Sequence, residues 1–447
     1  MADAARPLNT ATPNDLSAFW MPFTANRAFK QRPRMIARAK GLYYYTPEGH
    51  QVMDAAAGLW CCNAGHNHDR IVAAIQAQAG VLDFAPSFQF SHPAAFQLAT
   101  RIAALAPGDL DHVFFANSGS EAVDTALKMA LAYWKARGQG SKTRFIGRER
   151  GYHGVGFGGI SVGGMVANRK QFGNMLSGVD HLPHTYNRAE QAFSVGQPAW
   201  GAHLAEELER LIQLHDASTI AAVIVEPMAG STGVLPPPVG YLEKLRQICD
   251  RNDILLIFDE VITGFGRTGA AFASEKLGVI PDLFTFAKGV TSGTVPMGGV
   301  VARKGIHDAL MTGPEHVIEF FHGYTYSAHP LACAAGLATL DVYRDEKLFE
   351  RAAAIEGKWV EAFYSLKGLP NVLDIRQFGI TGAVDLASRP DAFGKRAFEA
   401  MERAFHEFGL CMRITGETLA VTPPLTISDD QIGELVDKMA KTIRAVA

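Results

Sequence analysis

Through the middle of the chain, short unbroken apolar runs alternate with stretches in which apolar residues recur every three or four positions. The runs "HVFFAN" (112–117), "AAVIVEP" (221–227), "ILLIFDE" (254–260) and "DLFTFAK" (282–288) each read as a strand buried on both faces. Between them, 120–137 and 240–252 read as helices, and in the first Val123, Leu127, Ala130 and Trp134 make one apolar face. This alternation predicts an α/β architecture, a mostly parallel sheet covered by helices. The four runs close with Asn117, Glu226, Asp259 and Lys288. Ligands of open α/β sheets bind outside the carboxyl ends of the strands, so these four residues are expected along one edge.

The flanks read differently. Residues 1–75 are rich in turns, and 331–447 carry three helical stretches with short strands between them. The tail 428–447 spaces Ile432, Leu435, Met439 and Ile443 as a one-sided closing helix. A chain of 447 residues exceeds what one core supports, so more than one domain is expected, with 76–330 as the central unit.

Composition narrows the class. Hydrophobic residues make up 48% and charged residues 19%, the balance of a packed enzyme. With 42 Lys plus Arg against 45 Asp plus Glu, the net charge is −3, which leaves no basic footprint for nucleic acid or a membrane surface. The five cysteines have neither zinc-site nor disulfide spacing and read as reduced thiols. "MADAARPLNT" lacks an apolar signal core and no run reaches membrane-spanning length, so a cytoplasmic location is expected.

Lys288 ends an apolar strand with no polar approach, and lysines are rarely buried unless they are paired or perform chemistry. Asp259, one helix and one strand earlier, could simply form a buried ion pair with it. Alternatively a cofactor lies between them. "NSGSEAVDTALK" offers a strand-to-helix turn at Ser118-Gly119-Ser120, with Ser120 expected to cap the helix and Glu121 and Asp124 in its first turn. That is an ordinary capped helix or an anion site. Pyridoxal phosphate accommodates all three features: phosphate on the turn, pyridine nitrogen at Asp259, aldehyde on Lys288. Desolvation would lower the lysine pKa and free its amine as nucleophile and base.

Competing chemistries are weaker. Gly264-x-Gly266-x-x-Gly269 and Gly154-x-Gly156-x-x-Gly159 match a dinucleotide fingerprint. In the first, Asp259 and Glu260 occupy the strand end where a pyrophosphate would sit; the second follows a polar stretch. An NAD(P)-dependent oxidoreductase is therefore the remote alternative. Ser118, Ser120 and His153 lack the G-x-S-x-G elbow of a hydrolase. "GHNH" (65–68) and "HLPH" (181–184) have no third ligand nearby, and no metal is expected.

"LLIFDEVITGFGRTG" followed by "PDLFTFAKGVTSG" resembles the signature of the class III, or omega, aminotransferases. "NSGSEAVDTALK", "GYHG" and "HGYTYSAHP" fall in that family's order, and the likeness runs from "MPFTANR" to "LAVTPPL". It is strongest to the omega-amino acid:pyruvate, or β-alanine:pyruvate, branch. The resemblance implies a fold-type I pyridoxal-phosphate enzyme with a large, mostly parallel seven-stranded domain and a smaller α+β domain from both termini, here 1–75 with 331–447. It implies homodimers with shared active sites, possibly paired into tetramers.

Laid on these residues, the resemblance makes Lys288 the cofactor's covalent anchor and proton carrier, with Asp259 on the pyridine nitrogen. Ser118, Gly119 and Ser120 would hold the phosphate, Tyr152 and Val261 would sandwich the ring, and Glu226 would support its edge. Thr325 would reach the phosphate in the neighbouring subunit. Arg413 would bind substrate carboxylates, and Trp60, Phe23, Tyr152 and, from the other subunit, Phe88 would line the pocket. One departure is informative. Relatives acting on ornithine or GABA carry "EPIQGE", whose last glutamate restrains the arginine; here the stretch is "EPMAGS", ending at Ser231. An unrestrained arginine suits pyruvate as acceptor. The expected reaction is ping-pong transfer from an omega-amino acid or primary amine to pyruvate, giving alanine and an aldehyde or ketone. A 2-oxoglutarate-dependent enzyme of the GABA or ornithine type is the alternative, with an aminomutase or racemase behind it.

Overall fold

The computed structural model describes residues 15–173 and 175–447, and at its centre is a seven-stranded sheet. The first ten residues, read above as lacking a signal core, lie outside the described residues. From one edge to the other the strands are Leu110–Ala116, Gly298–Arg303, Leu283–Phe286, Leu255–Asp259, Ile220–Val225, Arg144–Arg148 and Val179–Leu182. Only Gly298–Arg303 runs against its neighbours. Two reversals cancel, so Leu110–Ala116 points the same way as the five parallel strands. Asn117 therefore shares the carboxyl edge with Glu226, Asp259 and Lys288.

Ile220–Val225, Leu255–Asp259 and Leu283–Phe286 are buried throughout, as uniform apolar runs require. "HVFFAN" departs from expectation. Its strand is the sheet edge with a single partner, and His112, Val113 and Phe114 keep partial exposure. Its apolar character reflects packing on both faces: Phe115 meets Phe286 on one, and Phe114 meets Phe320 on the other.

Helix Gly119–Ala136 lies on the sheet, and its four periodic residues are all buried. Trp134 donates its indole N–H to the Ala221 carbonyl at 2.8 Å, satisfying a group that would be costly to bury unpaired. The cap differs from the sequence reading. Ser118, not Ser120, is the N-cap and accepts from the Glu121 N–H at 3.2 Å, while Glu121 reaches back to the Asn117 N–H at 2.7 Å. Ser120 is thereby left facing the functional edge.

Beyond residue 329 there are four helices rather than three: Pro330–Asp345, Leu348–Tyr364, Lys395–Phe408 and Asp429–Ala445. Lys347, at φ 51°, breaks what otherwise reads as continuous helical sequence between the first two. Ser428 and Gln431 close a capping box on the last. The chain termini meet in a small sheet, where Leu410–Cys411 lies parallel to Gln51–Asp54 with Cys411 opposite Asp54. Among the described residues no helix is long and apolar enough to cross a membrane.

The glycine matches have packing roles. Gly266 and Gly269, at φ 91° and 87°, lie against Phe349 and Ala353 of helix Leu348–Tyr364, where a Cβ would clash. Gly154, at φ 87°, lets its loop rest on the first turn of Gly119–Ala136, since a Cβ there would stand 2.4 Å from Ser120 Oγ.

Candidate active site

Lys288 leaves the strand Leu283–Phe286 through a backbone break. Ala287 has φ −164° and ψ −148°, and Lys288 itself is left-handed at φ 49°. For a side chain with a Cβ that conformation costs about 1–2 kcal/mol, so its surroundings must enforce it. Gly293 N–H bonds back to the Lys288 carbonyl at 3.2 Å, and Tyr343 donates to the Gly289 carbonyl at 2.6 Å. Ala64 N–H reaches Ser292 Oγ at 3.0 Å, so the N-terminal segment also clamps this loop. Burial pushes the Lys288 ammonium below its ordinary pKa, and the carboxylates of Asp259 and Glu226 offset part of that.

Asp259 lies on the next strand, buried and heavily engaged. Its Oδ1 accepts from the Val261 N–H and from Thr285 Oγ1, each at 3.1 Å. Its Oδ2 is 2.8 Å from Nδ1 of His153, which donates to the carboxylate, while the other ring nitrogen of His153 is buried without a partner. Among the described residues, no carboxylate oxygen lies within the 4.0 Å ion-pair distance of the Lys288 ammonium. Two buried opposite charges on adjacent strands feel each other without touching. The simple ion pair is therefore not formed.

The phosphate-ready turn is beside them. The N–H groups of Gly119 and Ser120 open the helix with no acceptor among the described residues, as expected for its first two positions. Ser120 Oγ accepts from the Val155 N–H at 3.1 Å, leaving its own hydrogen free to donate. A Cβ on Gly119 would stand 3.0 Å from both methyls of Val261, so Val261 links the turn to Asp259. Tyr152 donates its N–H to Glu226 Oε1 at 2.9 Å, and Glu226 Oε2 holds the Gly230 N–H at 3.0 Å. Burial raises the Glu226 pKa. Glu260 points away from this group, to Thr263 and the start of helix Ala273–Leu277.

Arg413 is half-buried, and among the described residues no carboxylate pairs with it. Burial lowers its pKa. Ser231, near the turn from Glu226, offers no counter-charge. Trp60 is 4% exposed in a cluster with Met228, Val234, Ile262 and Ala420, the last paired with Arg413 across two strands. Phe23, Phe88 and Thr325 are exposed instead of packed into this group. Phe88 lies against Gly323, on the surface that carries Thr325. That loop is fastened to helix Gly119–Ala136: Thr125 Oγ1 meets His322 Nε2 at 2.9 Å, and Tyr324 donates to the Glu121 carbonyl at 3.2 Å.

Three participants escaped the sequence reading. His153 adjoins Tyr152 in "GYHG", yet the sequence suggests for it only a hydrolase base. Thr285 was the lone polar residue inside an apolar strand, which is a usable signal. Cys61 is close enough to Lys288 to feel its charge, yet burial raises the thiol pKa and keeps it protonated. Nothing in its spacing announced that position.

The residues present fit pyridoxal phosphate: two free N–H donors and a hydroxyl at a helix N-terminus, a fixed carboxylate, and an unpaired lysine between them. The profile of the family described as aminotransferase class-III matches residues 24–443. An omega-aminotransferase of Caulobacter vibrioides is 60% identical over 433 residues, covering 97% of this chain and 98% of that protein. A beta-alanine–pyruvate aminotransferase of Pseudomonas aeruginosa is 49% identical over 449 residues, covering 99% and 100%. Among solved structures, an amine transaminase from an uncultivated Pseudomonas species in its PLP-bound form superposes with a TM-score of 0.89 at 35% identity, covering 98% of this chain and 100% of that one.

Proposed function

The chain belongs to the class-III aminotransferases, and from that membership we propose that it moves an amino group from an omega-amino acid or primary amine to pyruvate. The products are alanine and an aldehyde or ketone. What carries the acceptor assignment is Arg413, a half-buried guanidinium with no carboxylate partner among the described residues, in a chain that has serine at position 231. A bidentate contact to a monocarboxylate would satisfy it. The names of the relatives at 60% and 49% identity support the same reading.

Pyridoxal phosphate, when bound, supplies an aldehyde that condenses with amines and a ring that takes up the electron pair released at the substrate carbon. The chain does the rest. Gly119, Ser120 and the helix N-terminus would bind the phosphate, and Asp259, steered by His153 and Thr285, would keep the ring nitrogen protonated. Tyr152 and Val261 would flank the ring, and Glu226 fixes the Tyr152 backbone. Lys288 Nζ takes the proton from the amine-bearing carbon of the donor. In the return half it delivers a proton to the carbonyl carbon of the acceptor. Trp60 forms one wall of the substrate pocket. We assign 76–330 to the large domain and 1–75 with 331–447 to the small one.

The acceptor is tested in two half-reactions. Enzyme aminated by β-alanine and freed of donor is offered pyruvate or 2-oxoglutarate. Alanine should form at least tenfold faster than glutamate. The reverse order would assign the enzyme to the 2-oxoglutarate users, and failure with both would overturn the pyruvate assignment in favour of a different oxo acceptor. Arg413→Ala should raise the KM for pyruvate about 10- to 100-fold, the range for a lost charge-assisted contact, with little change for amines that lack a carboxylate.

The exposed side chains of Phe84, Phe88, Phe90 and Phe321 form the kind of apolar surface that a second copy covers. In such a homodimer Thr325 and Phe88 serve the neighbouring site. Subunits carrying Thr325→Ala should hold the cofactor about tenfold more weakly. Mixed with Lys288→Ala subunits, they should regain one intact site per heterodimer. Activity that stays at the average of the two parents would place Thr325 in its own subunit's site.

A further inference from the structure

A groove of about 670 Å³ lies outside the Lys288 site, within the size range of small-molecule pockets. It is lined by Arg150, Tyr186 and Arg188, by Arg376 against the Tyr186 ring, and by Phe393 and Thr415. Its acids are already committed. Asp385 is held by Arg376 through two contacts of 2.8 Å and by Thr418 Oγ1 at 2.6 Å. Glu417 accepts from the N–H groups of Gly394 at 2.7 Å and Ala397 at 2.9 Å. Arg376 is fully used, by Asp374 and Asp385 and by the Gly233 carbonyl at 2.9 Å.

Two cations remain. Among the described residues neither Arg150 nor Arg188 pairs with a carboxylate or donates a hydrogen bond. Both side chains are exposed, and the Arg150 guanidinium is 5.8 Å from the centroid of the Tyr186 ring, which also carries Arg376 at 4.6 Å. Its field reaches His184, which burial first and then Arg150 keep from protonating. The hydroxyls of Thr232, Ser388 and Thr415 also line the groove without side-chain partners among the described residues. With Asp385 paired to Arg376, and Glu417 the one lining acid without a cationic partner, two guanidiniums and three hydroxyls remain unspent and the groove selects for negative charge.

We propose that this groove is a second binding site, for a small molecule bearing two oxyanion groups, either a dicarboxylate or a phosphorylated compound. Two unpaired guanidiniums and three unpartnered hydroxyls lining one groove match two anionic groups better than one. The walls continue into the reaction centre: Arg150 is two residues from Tyr152, Thr232 follows Ser231, and Thr415 is two residues past Arg413. A ligand here would join segments that the substrate pocket also uses, without occupying that pocket.

The test is calorimetric titration of the holoenzyme, whose phosphate cup is filled, with succinate, inorganic phosphate and acetate in turn. Saturable binding of succinate or phosphate, at least tenfold tighter than acetate, is expected, and the tighter of the two names the ligand class. The double variant Arg150→Gln/Arg188→Gln should weaken that binding at least tenfold while leaving transamination without added anion unchanged, which also shows that it folds. Saturating pyruvate should not compete. The proposal fails if acetate binds as well as the dianions, if the double variant binds them undiminished, or if pyruvate displaces them.

Discussion

Lys288→Ala should lower transamination about ten-thousandfold and abolish the yellow chromophore that borohydride bleaches in the wild type. The size follows from removing nucleophile and proton carrier together, where general acid–base catalysis alone contributes up to about 10⁴. No other described side chain can substitute: Cys61 is the nearest candidate, and burial keeps its thiol protonated. The measurement is single-turnover absorbance with β-alanine; residual turnover within a hundredfold of wild type would sink the assignment. Burial sets the pH behaviour as well. The Lys288 pKa lies below its ordinary 10.5, so apoenzyme amine reactivity should rise with pH and reach half its maximum below that value. Trapping pyridoxal phosphate with cyanoborohydride across pH checks this, and a midpoint at 10.5 or above would contradict it.

Asp259→Asn should cost about a thousandfold in turnover while the cofactor stays bound, because the phosphate turn and Lys288 still hold it. The lost quantity is a fixed negative charge at the ring nitrogen, and removing one preorganised electrostatic contact costs about 10²–10³. The network sharpens the prediction. His153 donates to Asp259 Oδ2 at 2.8 Å, and its other ring nitrogen is buried without a partner. His153→Gln, which can still donate one hydrogen bond, should therefore lose only about tenfold and shift the pH dependence of the chromophore. If Asp259→Asn turns over within tenfold of wild type, the carboxylate is structural.

The reacting pair was legible because each member breaks its local pattern. Lys288 is a charge at the end of "PDLFTFAK", and Asp259 closes an apolar strand where an acid has no structural reason to be. Four of the seven strands, and their shared direction, followed from uninterrupted apolar runs separated by helix-period stretches, whereas Arg144–Arg148, Val179–Leu182 and the reversed Gly298–Arg303 did not. What escaped depends on tertiary neighbours. Whether a strand such as "HVFFAN" is central or at the edge is set by its partners, and one partner leaves His112, Val113 and Phe114 partly exposed. Ser118 and Ser120 both suit a helix start, and only the bond from the Glu121 N–H tells cap from ligand donor. The orientation of His153, the proximity of Cys61 and the exposure of Phe23 leave no periodic trace.

Position 288 also says something about selection. A residue held left-handed by Gly293, Tyr343 and Ser292, and asked to desolvate an ammonium group, is about the least comfortable lysine this fold contains. Glycine would adopt that backbone without strain and bury no charge there, at a cost of about 0.5–1 kcal/mol in unfolded-state entropy. A lineage drifting under demand for persistence alone would tend to lose the lysine first. Its retention in a copy of this gene would therefore be a sensitive marker that the copy is still used as an enzyme.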